Sequence, residues 1–377
     1  METKYHALAI LTAMMLLGLV LVGKHLPITT SQPANAAPED TITPTATLIR
    51  QDDPTPTPPA PTATSRPTAP PIPPTATQEP TAIPTNTPLP TPTPTPDMSI
   101  LDARLANDTE LRAAICQPHQ KLTENPREDE VIVPILLYHF VGRGNLEDDE
   151  HQSTTRYNVT RADFDAQLAL LRRLGYETVT ISEVVAAING ESRLPARPVA
   201  ITIDDGWVEQ YTQIFALLQK YQMKATFYIP STYPVGGRFV TWEQLQEMVD
   251  AGMEIGSHTR KHTNLVAVDA ETAWYEINGS KTELEATLGI SVTSLAYPYS
   301  SYSSATIELL QKAGYDAAVA MGSTPRQSAD RLYTLQRFEI FGTRSLADFL
   351  DWLPWRGQHT PLCQKDDLPQ QPVTSNQ

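Results

Sequence analysis

The chain has 377 residues, 40% of them apolar, with 34 prolines and a formal net charge of −15 from 28 Lys and Arg against 43 Asp and Glu. That balance offers no basic face of the kind phosphate binding needs, which excludes nucleic acid as a partner and mildly disfavours anionic glycans. It does not bear on fold, and the averages conceal three different materials along the chain.

Residues 1–36 are a signal peptide or a membrane anchor. Ala7 to Gly23 is a nearly uncharged apolar run closed by Lys24, and its length of about 17 residues is at the lower limit for spanning a bilayer. Ala34-Asn35-Ala36 offers a small-x-small cleavage signal. If uncleaved, this segment makes the membrane a partner. Residues 37–97 are a disordered Pro/Thr-rich linker, including Pro90-Thr-Pro-Thr-Pro-Thr-Pro96. Proline fixes φ and lacks an amide donor, and too little apolar surface remains to offset ordering entropy. The two segments together predict an exported protein, secreted or anchored at the cell surface, with its folded part held away from the membrane.

Residues 98–130 form a helical lead-in, with one helix over Ile100 to Ile115. Cys116 and Cys363, the only cysteines, fall before and after the next region, and in an exported chain a disulfide clasping its ends is expected, the alternative being two free thiols. Residues 131–365 make the folded domain, with its motifs in 198–342, and 366–377 read as a disordered tail.

Within the domain, strand and helix signals alternate, which argues for parallel β/α architecture. Strands are predicted over Val131–His139, Val199–Ile203, Ala225–Ile229, Met253–Gly256, Val292–Tyr297 and Asp316–Met321. Helices are predicted over Arg161–Leu174, Glu209–Tyr221, Trp242–Ala251, Ala270–Leu288 and Ser304–Ala313. About seven units emerge, so a distorted, incomplete (β/α) barrel of about seven strands fits better than a closed eight-fold one.

The stretch Pro198-Val-Ala-Ile-Thr-Ile-Asp-Asp-Gly-Trp207 begins as a buried strand and ends on two adjacent carboxylates. Such charges repel unless a cation or a proton-transfer task holds them together; the alternative is a solvated Asp-Gly turn. Downstream, Met253-Glu-Ile-Gly-Ser-His-Thr-Arg-Lys-His262 repeats the pattern. His258 and His262 are four apart, so a helical turn would put both imidazoles on one face. Two neutral imidazoles and one carboxylate, Asp205, form a common ligand set for a catalytic divalent metal.

Thr202-Ile-Asp-Asp-Gly206 and Ser257-His-Thr-Arg-Lys-His262 resemble the first two motifs of the polysaccharide deacetylases, the NodB-homology group of carbohydrate esterases, whose patterns are T-F-D-D-G and H-[S/T]-x-x-H; Ile203 replaces the phenylalanine. The resemblance runs from about Val131 to the C-terminal region. Ala296-Tyr-Pro-Tyr299 resembles the third motif, R-x-P-Y, with Ala296 in place of its arginine, so the support of Asp204 must come from elsewhere; the segment Thr324 to Gly342, with Arg337 and Glu339, is a candidate source. The usual late histidine acid is missing, since past His262 only His359 remains. Tyr138-His139 resembles instead the poly-N-acetylglucosamine deacetylase subgroup, whose acid is an early histidine.

The resemblance implies a metal held by Asp205, His258 and His262, expected to be Zn2+ with Co2+ or Ni2+ as alternatives. It also implies Asp204 as general base, the Tyr299 amide at the oxyanion and His139 as general acid. The expected substrate is an acetylated polysaccharide, with N-acetylglucosamine polymers preferred. O-acetyl esterase activity or a wall-binding module that has lost activity remain open, and a monomer is expected. Trp207, Tyr297 and Tyr302 could stack on sugar rings, although aromatic residues are more often core.

Overall fold

The computed structural model describes residues 96–117, 126–127, 129–143 and 156–355. The apolar N-terminal run, most of the Pro/Thr-rich segment, Cys363, His359 and the C-terminal tail lie outside the described residues.

Seven parallel strands close into a ring: β1 (Ile135–Tyr138), β2 (Pro198–Asp204), β3 (Thr226–Ile229), β4 (Glu254–Ser257), β5 (Ser294–Ala296), β6 (Ala317–Met321) and β7 (Leu335–Glu339). Each pairs with the next in sequence, and β7 returns to β1 through Arg337↔Ile135, Phe338↔Leu136 and Glu339↔Leu137. The ring thus lacks an eighth unit yet has no open edge between its first and last strands. Distortion concentrates between β4 and β5, which share the single register pair Ser257↔Leu295. An additional short strand, Glu177–Val179, pairs with Pro198–Ala200 at the start of β2, while β3 pairs with its end, Thr202–Asp204.

Alternation along the strands sorts the core into two sets. Ile135, Ala200, Tyr228, Ala296, Val319 and Leu335, one from each of six strands, form the barrel interior. Leu136, Ile201, Phe227, Ile255, Leu295 and Phe338 face outward into a larger cluster that the helices complete. Every residue of β2 is buried, as expected of a strand covered on both faces.

The helices relevant here are α1 (Ser99–Asn107), α2 (Thr109–Cys116), α3 (Arg161–Arg173), α4 (Ile181–Ile188), α5 (Ala216–Tyr221), α6 (Trp242–Asp250), α7 (Ala270–Leu288) and α8 (Ser304–Lys312). The predicted single lead-in helix is two. Asp108 leaves helical geometry at φ −119° and its side chain accepts the Leu111 N–H, capping α2. Leu101, Leu111 and Ile115 are fully buried, and Arg104–Asp163 (2.7 Å) and Arg173–Asp102 (2.6 Å) tie the lead-in to α3. Cys116 is disulfide-bonded, and the sequence contains one other cysteine.

At the N-terminal end of the barrel, α4 was not read from sequence. Its first residues close that end: the Ile181 N–H bonds Thr226 Oγ1 at the start of β3, and Ser182 donates to the Glu254 carboxylate at the start of β4. The opposite end carries the chemistry.

Candidate active site

Asp204 is the last residue of β2, and His139 follows the last residue of β1. Parallel register sets Tyr138 opposite Ile203, so His139 and Asp204 stand level on neighbouring strand ends. His258 directly follows β4, and Tyr299 sits in a short turn, Pro298–Ser300, just past β5. All the residues expected to act therefore reach the carboxyl-terminal mouth of the barrel, where β/α barrels place working groups.

Asp204 is 2% exposed, and so is Arg337. Arg337 Nη1 donates to Asp204 Oδ1 and Nη2 to Oδ2, each at 2.7 Å, a two-pronged charge-assisted pair. Nη1 also lies 3.3 Å from Thr202 Oγ1. Burial alone would raise the Asp204 carboxyl, but the charges of Arg337 and His258 overcome it and hold Asp204 below the ordinary carboxylate range. The expected support thus comes from β7, and of the two candidates there it is Arg337, not Glu339, that supplies it. Ala296 faces the barrel interior beside Val319, and β6 and β7 carry Val319 and Leu335 at the same level. Arg337 lies two residues beyond Leu335 on the same face of β7 and reaches Asp204 from there.

Asp205 takes φ 88°, which turns its side chain away from the strand direction. Its Oδ2 accepts a hydrogen bond from Trp207 Nε1 at 3.2 Å. Its Oδ1 is buried with no hydrogen-bond partner among the described residues. That oxygen lies 3.4 Å from His258 Nε2 and 3.4 Å from His262 Nε2. His258 Nδ1 is 2.7 Å from the Ala296 carbonyl oxygen, which fixes the tautomer with the proton on Nδ1 and leaves the Nε2 lone pair facing Asp205. The ligand atoms of the three residues all lie within 4.8 Å of one another. One carboxylate oxygen and two imidazole nitrogens converging with one oxygen orphaned is the donor set a divalent cation satisfies.

Burial would raise Asp205, yet His258, His139 and His262 hold it well below the usual range. Burial and the neighbouring His258 push His262 down to about 4, so this imidazole is neutral at pH 7. His258 moves the other way: burial would lower it, but the charges of Asp204 and Asp205 raise it. The turn between the two histidines corrects the expected geometry. It is not helical: Thr259 and His262 both adopt left-handed backbone, φ 63° and 57°, and this brings the imidazoles to 4.8 Å centroid separation.

Tyr299 has φ 59°, and its ring, 68% exposed, meets the His262 ring edge-on at 4.7 Å. His139 is half-buried, and its Nδ1 has no hydrogen-bond partner among the described residues. Gln210, fully buried in a π-helical turn, donates to the backbone carbonyls of Asp204 and His139 and so ties the two strand ends together. The three aromatics divide: Trp207 is covered by Phe239 (4.7 Å) and by the Arg143 guanidinium (4.3 Å), and Tyr297 is core, whereas Tyr302 stays 44% exposed.

Residues 191–318 match the polysaccharide deacetylase family model. This segment is similar to the polysaccharide deacetylases. The chain is 28% identical over 218 residues to the Bacillus subtilis protein YxkH, whose name places it among the polysaccharide deacetylases; the match covers 58% of this chain and 73% of YxkH. It is 25% identical over 256 residues to the Escherichia coli K12 poly-β-1,6-N-acetyl-D-glucosamine N-deacetylase, covering 54% of this chain but only 37% of that longer protein. Among solved structures, the Streptococcus pyogenes deacetylase PplD in complex with acetate superposes with a TM-score of 0.56 at 25% identity, over 61% of this chain and 99% of that one. The Bacillus cereus polysaccharide deacetylase BC0361 gives 0.51 at 27% identity, over 59% and 69%. Of the site residues, the Asp-Asp and His-His motifs were legible in sequence, and the arginine missing at Ala296 pointed to the segment that holds Arg337. Gln210 and the Trp207 N–H were not assigned roles there.

Proposed function

We propose that this domain is a metal-dependent hydrolase that removes N-acetyl groups from an N-acetylglucosamine-containing polysaccharide: peptidoglycan, a chitin-like polymer or poly-N-acetylglucosamine. The observation that carries the reading is the buried Arg337–Asp204 pair set beside the convergent Asp205, His258 and His262. A carboxylate kept ionised in a dry site, next to a cation-binding triad, is the equipment for activating water.

Asp205, His258 and His262 would hold the cation, and two imidazoles with one carboxylate suit zinc, with cobalt or nickel as alternatives. When bound, such a cation supplies Lewis acidity toward water and the acetamide carbonyl. Asp204 takes the proton of the attacking water, and Arg337 keeps it anionic until it does. The Tyr299 N–H donates to the developing oxyanion. His139, on the neighbouring strand end, delivers a proton to the departing nitrogen as the C–N bond breaks. The products are acetate and a free amino sugar.

The preference for an N-acetylglucosamine polymer draws on the name of the E. coli relative and on Tyr138-His139. The apolar run Ala7–Gly23 and the Pro/Thr-rich stretch support an exported domain, secreted or membrane-anchored, acting at the cell surface. A substrate panel tests the reaction type: acetate release is expected from N-acetylglucosamine oligomers in preference to acetylated xylan, and the reverse preference would make the domain an O-acetyl esterase.

A further inference from the structure

The turn between the two histidines cannot hold its shape alone. Left-handed φ at Thr259 and His262 is unfavourable for a non-glycine residue and persists only where the surroundings over-determine it. Much of that determination comes from one face of α7. Glu276, 4% exposed, accepts the backbone N–H groups of both Arg260 and Lys261 at 2.9 Å on the single oxygen Oε2. One turn on, a Cβ at Gly279 would sit 2.7 Å from Arg260 Cδ, so the glycine gives that side chain its room. Ser280 Oγ lies 2.8 Å from the hydroxyl of Ser257, the last residue of β4, and Glu283 pairs with the Arg260 guanidinium. Positions 276, 279, 280 and 283 are i, i+3, i+4 and i+7 of one helical face. Where a core helix would carry apolar side chains, α7 carries two carboxylates, a serine and a glycine, all directed at one turn.

Burying a carboxylate is costly unless its hydrogen bonds are made, and Glu276 has no step in the hydrolysis proposed above. The two imidazoles also differ in how they are held. His258 is anchored through Nδ1 to Ala296. Apart from its approach to Asp205, the His262 ring makes no hydrogen bond among the described residues, so its position depends on the backbone that leads to it.

We infer that Glu276 is a positioning residue for the metal site: by clamping the Arg260 and Lys261 amides it fixes His262 against Asp205 and His258, and so sets the affinity for the cation. The inference rests on the reading of Asp205, His258 and His262 as ligands.

Titration of the purified full chain with Co2+, read by its visible absorption and by competition with a chelator, tests it in the wild type, Glu276→Ala and Glu285→Gln. Glu285 lies on the same helix but bonds Val292 and Lys281, away from the turn. Glu276→Ala is expected to bind Co2+ about 10–100-fold more weakly, the loss typical of removing a group that orients a ligand, with an altered spectrum; Glu285→Gln keeps the wild-type affinity. If Glu276→Ala does not fold, Glu276→Asp, which keeps the charge but ends one methylene short, takes its place with the same expectation. Wild-type affinity in the folded variant overturns the inference and leaves the ligand set standing. No Co2+ binding by the wild type overturns both.

Discussion

Arg337 and Asp204 form a two-pronged ion pair, 2.7 Å on each arm, between residues 133 positions apart in sequence and both 2% exposed. Because burial disfavours the charged carboxylate and Arg337 opposes burial, removing the guanidinium leaves desolvation unbalanced and the Asp204 pKa rises. Arg337→Met should therefore move the acid limb of the pH–rate profile to higher pH, since a larger share of Asp204 is protonated at any given pH. Losing one partner of a buried pair should also cost about 3–5 kcal/mol of stability, read as a lower melting temperature. An unmoved acid limb in a folded variant would separate Arg337 from the base.

The interchange of arginine positions makes a second prediction. Ala296 is fully buried, so Ala296→Arg alone should overpack the interior and destabilise by about 1–3 kcal/mol or more. Combined with Arg337→Ala, the same substitution should recover activity relative to Arg337→Ala alone. A double variant no more active than that single one would show that position 296 cannot reach Asp204 in this barrel.

His139 bears on the leaving group. An amine leaves poorly unless protonated, whereas an activated phenol ester needs no such help, so His139→Ala should lower amide hydrolysis by about 10²–10⁴-fold and ester hydrolysis much less. Equal losses on both substrates would assign His139 to structure.

Trp207→Phe keeps the ring between Phe239 and Arg143 but removes the N–H that Asp205 Oδ2 accepts. Metal affinity should fall by about tenfold with little change in melting temperature, measured by isothermal titration with zinc.

What could be read in the sequence followed from local pattern. β2 was legible because Val199 to Ile203 is apolar and β-branched, and its end was legible because Asp204 and Asp205 break that pattern abruptly. The seventh strand was not. Leu335-Gln-Arg-Phe-Glu339 carries two charged residues and an amide, and Arg337 points into the barrel, against the rule that interiors are apolar; only the distant Asp204 makes that placement favourable. The His258–His262 spacing correctly implied convergence but by the wrong route, because left-handed backbone at Thr259 and His262 depends on Glu276, which a local reading cannot see. The predicted strand Val131–His139 is interrupted after Ile132, where Pro134 lacks the N–H a continuous ladder would use.

The most direct test of metal-dependent deacetylation is acetate release from N-acetylglucosamine oligomers by the purified chain, stripped with chelator and then resupplied with zinc or cobalt, alongside Asp205→Ala. Release should disappear on stripping, return with the metal and stay absent in the variant. Acetate release that survives stripping, or that persists in Asp205→Ala, would contradict it.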